Sequence, residues 1–467
     1  MKIPALLTAI LLLSGCVHLG KSDYQRPLLS LPERWPAVDR SDRSDRFDRR
    51  YDNWWERFDD PTLSRIITQV LTSNNDVAAA AITLQQARVA AGLTATNLSP
   101  NVELTGSASN SQHLRGAAAT SESYSSQLSL SYELDLWGKL ARIREQSEWQ
   151  AVASAEDYQA TVLSTIGTTA QLYWNIALYN QQIRNRQQSL AISQQTAQQV
   201  ASWFRAGKVG QLDVLLSQQA LIEHQNQLRT LQQQRENARN ALALLLNRPA
   251  EQHTAEAAFL LPSQRVPVRE KTPLQVIAHR PDIQAAESRL RAALAGYDAS
   301  RLSFYPSLSL NAALNAGSQA FSQWFRDPVR TVGTSLALPF IQWNTTQLTV
   351  RQSGLAIQQA AITFRRTAYT ALAEVDNAME KRLSAAEQRS RLQQSLSLGR
   401  QRLTLTESRY RAGAVDFKTL LDAQDDLLTL ENTLAQTQYD YLYATLQLWL
   451  AQGGGKTQYR ILNNDVK

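Results

Sequence analysis

A mainly α-helical protein with a β-barrel portion, built as two copies of one unit, is the fold class this 467-residue sequence predicts. Three observations predict it. Apolar residues alternate through Leu128, Leu130, Tyr132, Leu134 and Leu136, with Gln127, Ser129, Ser131, Glu133 and Asp135 in the other phase. That is a strand with one apolar and one wet face. After Gly138 the period lengthens, and Leu163, Ile166, Ala170, Tyr173 and Ala177 step by threes and fours, as along a helix. Third, landmarks recur at one offset of 206 positions: Pro100 with Pro306, Trp137 with Trp343, and Arg205-Ala206-Gly207 with Arg411-Ala412-Gly413. The Pro and Trp matches lie outside the helices expected from the pattern, so resemblance between low-complexity helices does not account for them. Internal duplication is a common route to membrane transport folds.

The elements follow in order. Residues 1–15 read as an export signal, with Lys2 as the positive region and Leu6 to Leu13 as the apolar core. Leu13-Ser14-Gly15-Cys16 resembles a bacterial lipobox, in which the cysteine becomes the acylated first residue. Cys16 is the single cysteine, so no disulfide within the chain holds the fold. Val17 fits delivery to the outer membrane. One acyl chain binds membranes only marginally, so further membrane contacts are expected. Residues 16–60 read as extended, because Pro27, Pro32 and Pro36 discourage helix. The run Ser41-Asp42-Arg43-Ser44-Asp45-Arg46 reads as a solvated linker, and Trp54, Trp55 and Phe58 as anchors onto the body.

The first copy spans 61–270. Helix over 61–98 breaks near Asn74-Asn75. Strands follow at about 100–110 and 124–137. A helix then runs to about 205, a length on the order of 100 Å at about 1.5 Å per residue. Gly207 suits a helix cap and turn, and a returning helix covers about 212–247. The second copy spans 271–452, with strands at about 306–315 and 331–343, helix to about 411, a turn at Gly413 and a last helix. In that helix Leu420, Leu427, Leu434, Tyr441 and Leu448 form one seven-residue row, with Leu421, Leu428, Ala435, Leu442 and Trp449 beside it. A double seam packs on two sides, as in a closed ring of helices. The tail over 453–467 is expected to be flexible.

The strands carry the functional argument. Each is near the ~10 residues needed to cross an outer membrane. Spanning strands must close, since an open edge in lipid leaves backbone groups unpaired. Four strands cannot close, whereas eight or more can, so at least two chains must share a barrel. Its lumen would take the polar phase at Gln127, Ser129, Ser131, Glu133 and Asp135.

Composition narrows the field further. Formal charge is +7, but no basic cluster interleaved with aromatics appears, which argues against nucleic-acid binding. The five histidines show no metal-ligand spacing. Gly453-Gly454-Gly455-Lys456-Thr457 falls short of a phosphate loop, because Leu450 stands where the first glycine belongs. No nucleophile–base constellation marks an enzyme, and no cofactor is expected.

Several motifs together resemble the TolC-like outer-membrane efflux channels, most closely their lipoprotein NodT-type branch. They are Leu13-Ser14-Gly15-Cys16, Asp23-Tyr24-Gln25-Arg26-Pro27, Tyr132-Glu133-Leu134-Asp135-Leu136-Trp137-Gly138, Arg280-Pro281-Asp282-Ile283 with Ala286-Glu287, Tyr305-Pro306-Ser307-Leu308, and Arg411-Ala412-Gly413-Ala414-Val415. The resemblance implies a homotrimer with a twelve-stranded barrel in the outer membrane and a periplasmic helical barrel. It implies passive export of small molecules, such as drugs, with a periplasmic adaptor and an inner-membrane RND-type pump as partners. It also implies a gate at the turns. Asp213 and Asp422 would supply acidic groups there, and Tyr410 would bond across to Asp213. Two departures weaken that gate: Thr419 stands where many relatives carry a further acid, and Val415 where some carry an arginine. A channel for polypeptide secretion keeps the same fold with another cargo. A periplasmic coiled-coil adaptor predicts a single hairpin and fits less well.

Overall fold

A computed structural model describes residues 20–33, 35, 53–114, 120–260, 266 and 272–454. The expected export signal, Cys16, the charged linker and the end of the tail lie outside the described residues. Among those described, the helices are α1 (Pro61–Ser73), α2 (Asn75–Ala95), α3 (Lys139–Arg205), α4 (Gln211–Leu245), α5 (Pro273–His279), α6 (Pro281–Leu302), α7 (Trp343–Arg411) and α8 (Phe417–Ala451). The strands are β1 (Asn101–Gln112), β2 (Thr120–Leu134), β3 (Ser307–Ser318) and β4 (Val329–Ala337).

Local chemistry explains the boundaries. Asp60 caps α1 by accepting from the Thr62 and Leu63 N–H groups, each at 3.0 Å, and Pro61 occupies the first turn, where its missing N–H costs nothing. Asn74 separates α1 from α2. Its backbone is extended, and its side-chain oxygen accepts from Asp76 N–H at 3.0 Å and Val77 N–H at 3.1 Å. The long helices end in matched turns. At the first, Lys208 N–H donates to Trp203 C=O and Gly207 N–H to Phe204 C=O; at the second, Ala414 N–H donates to Arg409 C=O and Gly413 N–H to Tyr410 C=O, all at 2.9 Å. This is the Schellman pairing, whose left-handed residue is glycine: φ is +69° at Gly207 and +70° at Gly413.

The strands form one antiparallel sheet in the order β1-β2-β3-β4. Several of its strand ends differ from expectation, and β2 begins earlier, at Thr120. β4 stops at Ala337, although Leu338 and Phe340 continue the alternation in the sequence. Pro339 has no N–H to give a ladder and opens a 3₁₀ turn, Pro339–Gln342, that leads into α7. β2 stops at Leu134, so Asp135 does not lie on a strand. Its carboxylate instead accepts from the Leu140 and Ala141 N–H groups, at 2.9 and 2.8 Å, and caps α3. β3 runs on past 315 to Ser318, paired with Tyr124 of β2.

The register sorts the side chains. Val102, Leu104, Leu128, Leu130, Leu308, Leu310, Leu314, Val332 and Leu336 share one face. That face is bare: Leu104 is 75% and Val332 73% exposed. The opposite face is polar, with serine its commonest residue. Ser107 and Ser125 hydroxyls meet at 2.8 Å, and Asn311 donates to Ser335 at 3.1 Å. Its charged residues on the strands are Glu103 and Glu133, and Lys139 pairs with Glu133 at 2.9 Å. β1 and β4 are both edges, each paired on one side within the sheet.

The chain divides into two compact units. The strand unit gathers the residues up to Leu29, Ile82–Asp157 and Asp282–Thr367. Here the segment over 20–29 is strapped down by charge. Asp298, 1% exposed, accepts from Ser22 N–H at 2.8 Å and from Ser22 Oγ at 2.6 Å; Arg26 pairs with Glu287 at 2.8 Å; Arg291 lies over the Tyr24 ring at 4.5 Å. The hairpin unit gathers Ser30–Ala81, Tyr158–Pro281 and the residues from Ala368 onward. Its core holds Trp55, Tyr173, Ile166 and Ile176, each 1% exposed or less. Trp54 stacks on Trp449 at 5.8 Å, and Phe58 meets Trp174 at 4.8 Å.

Candidate functional site

The two turns bring together the ends of α3, α4, α7 and α8 within the hairpin unit. Their contact is an apolar cluster of Val200, Phe417 and Leu420, flanked by Val209, Val214, Leu216, Leu403, Tyr410 and Leu421. The Tyr410 ring sits within it, 5.9 Å from Trp203 and 5.7 Å from Phe417. Val209 is the residue two positions beyond Gly207, so the turn loop itself plugs the cluster.

Of the sequence-predicted gate residues, the structure places Tyr410 near Asp213 but does not join them. Burial, and then the Asp213 carboxylate, push the Tyr410 phenol above its usual pKa. Yet the hydroxyl is buried with no hydrogen-bond partner among the described residues. The expected Tyr410–Asp213 bond is therefore absent within the chain, because Asp213 turns back on its own helix. It sits in the first turn of α4, and its Oδ2 accepts from Gly210 N–H at 3.3 Å, the reciprocal half of a capping box. Asp422 is exposed and held by Lys418, whose ammonium lies 2.9 and 2.8 Å from its two oxygens. That pair partly cancels the negative charge expected at this position. Asp416 caps α8 by accepting from Thr419 N–H at 2.8 Å. Lys418 and Asp416 are the turn residues the sequence reading missed. The i,i+4 spacing of Lys418 and Asp422, and Asp416 three residues before Thr419, were the available signals.

The remaining predicted positions fall at the junctions of strands and helices in the strand unit. Pro100 precedes β1 and Pro306 precedes β3. Gly138, at φ +81°, turns β2 into α3. The Trp137 indole donates to Pro306 C=O at 2.8 Å and packs on Tyr305 at 5.1 Å. Trp137 thus bonds the first copy of the repeat to the second beside the sheet.

Higher in the hairpin unit, a buried histidine links the two hairpins. His224 of α4 is 5% exposed. Arg186 of α3 donates to its Nδ1 at 2.7 Å, and Asp425 of α8 lies 3.6 Å from its Nε2. Asn185 and Asn432 bond beside it at 3.1 Å. Burial lowers the His224 pKa below its ordinary 6.5, and Arg186 adds to this, against opposing pulls from Asp425 and Glu223. The folded chain therefore takes up this proton at a lower pH than the unfolded chain does. Stability from this site is complete above the ordinary 6.5 and falls as pH drops below it. Hydrogen exchange is expected to show α4 and α8 less protected at pH 5 than at pH 7, and His224→Gln to flatten that difference.

A bare apolar sheet face, a polar opposite face, two unpaired sheet edges and two long hairpins define a class of protein: one whose sheet is left open for contacts beyond the single chain. The comparisons specify it further. The outer membrane efflux protein family profile matches residues 66–248 and 272–454, and the chain belongs to that family. The pyoverdine export outer membrane protein OpmQ of Pseudomonas putida is 30% identical, over 86% of this chain and 88% of its own. The probable outer membrane lipoprotein SilC of Salmonella typhimurium is 25% identical, over 96% and 98%. A crystal structure of CusC aligns with a TM-score of 0.80 at 25% identity, covering 93% of this chain and 99% of that one. The protein is an outer-membrane efflux channel. No helix among the described residues is long and apolar enough to cross a membrane.

Proposed function

We propose that three copies of this chain form the outer-membrane channel of a tripartite pump that exports small, drug-like molecules. The observation that carries the proposal is the four-stranded sheet with an exposed apolar face and two open edges. An open edge cannot stay in lipid. Three four-stranded sheets joined edge to edge make a twelve-stranded barrel, with the apolar face to lipid and the serine face to the lumen. The helical hairpins then lie in the periplasm, where an adaptor and an inner-membrane RND-type pump engage them. The conduit itself performs no chemistry. Cys16 carries the lipid that adds an anchor. Tyr410 and the apolar cluster around it hold the turns together as the gate, and Asp213 and Asp422 shape the potential at its mouth.

Planar-bilayer recording of the purified mature protein tests this reading. Discrete cation-selective steps from a cross-linkable trimer are the expected result. Monomers without conductance, obtained from well-folded protein with the gate cluster cut back, would refute it. Cys16→Ser is expected to abolish radiolabelled palmitate incorporation while leaving conductance intact.

A further inference from the structure

The lipid-facing side of the sheet ends in a patch that the transport reading leaves unused. Tyr124 stands on β2 in the same phase as Leu128 and Leu130, opposite Ser318. Its ring lies 5.5 Å from Phe321 and 5.4 Å from Trp324, and Phe325 stacks on Trp324 at 5.4 Å with 7° between the planes. Phe321 is 68% and Phe325 69% exposed. Arg330 belongs to the same face, opposite Leu314, and is the one cation on that face of the four strands. The ladder is staggered: β4 begins at Val329, opposite Asn315, while β3 continues to Ser318, opposite Tyr124, and β2 runs on to Thr120. In a barrel whose strands tilt by about 35–45°, such offset ends come to similar heights. Arg330, the exposed Arg326 and the aromatic rings therefore share the rim of the sheet farthest from α3 and α7.

A cation in an otherwise apolar, lipid-facing row is tolerated at the headgroup level and not at the membrane centre. Rings with an apolar body and a polar tip favour the same level. A guanidinium fork fits a phosphate in bidentate fashion. Glu122, which accepts from the Tyr124 hydroxyl at 3.2 Å, and Asp327 cancel the net positive charge of the patch. General attraction to an anionic surface is therefore not its basis, and a discrete phosphate next to acyl chains is. We propose that Tyr124, Phe321, Trp324, Phe325, Arg326 and Arg330 form a docking surface for a phosphate-bearing glycolipid of the outer leaflet. The acyl chains lie on the rings and the sugar phosphate on the two arginines. The inference rests on the reading above that the strands cross the outer membrane with the 319–328 connection outermost.

Native mass spectrometry of the detergent-purified channel, titrated with diphosphorylated lipid A, its dephosphorylated form or phosphatidylglycerol, tests it. Wild type is expected to retain the phosphorylated glycolipid in preference to the other two. The Arg326→Gln/Arg330→Gln variant is expected to bind it about tenfold more weakly, as loss of a bidentate phosphate contact implies. Heat-modifiable migration confirms that the variant barrel has formed. Equal retention by variant and wild type, or no preference among the three lipids, would overturn the proposal. Single-channel conductance separates the two readings: it survives in the variant if the channel reading holds, and is missing from wild type if that reading fails.

Discussion

Replacing Tyr410 with alanine is expected to raise the time-averaged conductance of the reconstituted channel by about tenfold or more, whereas Tyr410→Phe leaves it near the wild-type value. The reason is that the ring, not the hydroxyl, makes the contacts. Tyr410 packs against Trp203 and Phe417 inside the cluster that joins all four helix ends, and its hydroxyl has no partner among the described residues. Truncating a fully buried aromatic side chain costs about 3–5 kcal/mol. For a half-buried ring, about 2 kcal/mol is a fair scale, and about 1.4 kcal/mol is a factor of ten in an equilibrium. If that contact favours the closed arrangement, alanine shifts the balance toward open by more than an order of magnitude. A phenylalanine variant that conducts like the alanine variant would show that the hydroxyl carries the latch, through a bond to another copy.

Asp60→Ala is expected to be the most damaging single substitution in the hairpin unit that touches no apolar side chain, and Asp60→Asn to recover most of the loss. Asp60 does two jobs. Its Oδ1 caps α1, and its Oδ2 accepts from the buried Tyr173 hydroxyl at 2.8 Å. Burial, and then the adjacent Asp60 carboxylate, drive the Tyr173 phenol far above its usual pKa, so it remains a donor at any pH the protein meets. Alanine loses the cap, worth about 1 kcal/mol. It also strands a buried hydroxyl, costing a further ~1–3 kcal/mol. Asparagine keeps one acceptor oxygen for the cap, and its amide N–H can donate to the Tyr173 oxygen, so both groups retain a partner. Thermal unfolding of the purified protein, followed by near-ultraviolet dichroism from Trp55 and Trp174, measures the difference. Equal melting of the alanine and asparagine variants would mean that the charge matters and the hydrogen bonds do not.

Much of the architecture was legible because period is a backbone property. A two-residue alternation and a three-to-four-residue step have few other causes, and the Pro100–Pro306 and Trp137–Trp343 matches tie two copies together without any knowledge of packing. What stayed hidden depends on contacts between distant residues or on competition at strand ends. Leu338 and Phe340 keep the strand rhythm, but Pro339 removes a donor the ladder requires. Asp135 keeps the polar phase, but the bare N–H groups of α3 claim its carboxylate. At the turns, sequence identifies acids but not their partners. Lys418 takes Asp422 and Gly210 takes Asp213, so neither carboxylate is as free as its position suggests. His224, Arg186 and Asp425 lie on three helices, and no spacing in the chain announces their meeting.

In the barrel proposed above, the serine face of the sheet would line the path of the cargo. A hydroxyl rotates, and can donate or accept as its visitor requires. A wall of such groups gives a passing solute a new partner at every step and holds it at none. Such a lining has little preference of its own, and in the proposed barrel it would leave discrimination between cargoes to be exercised before they reach it.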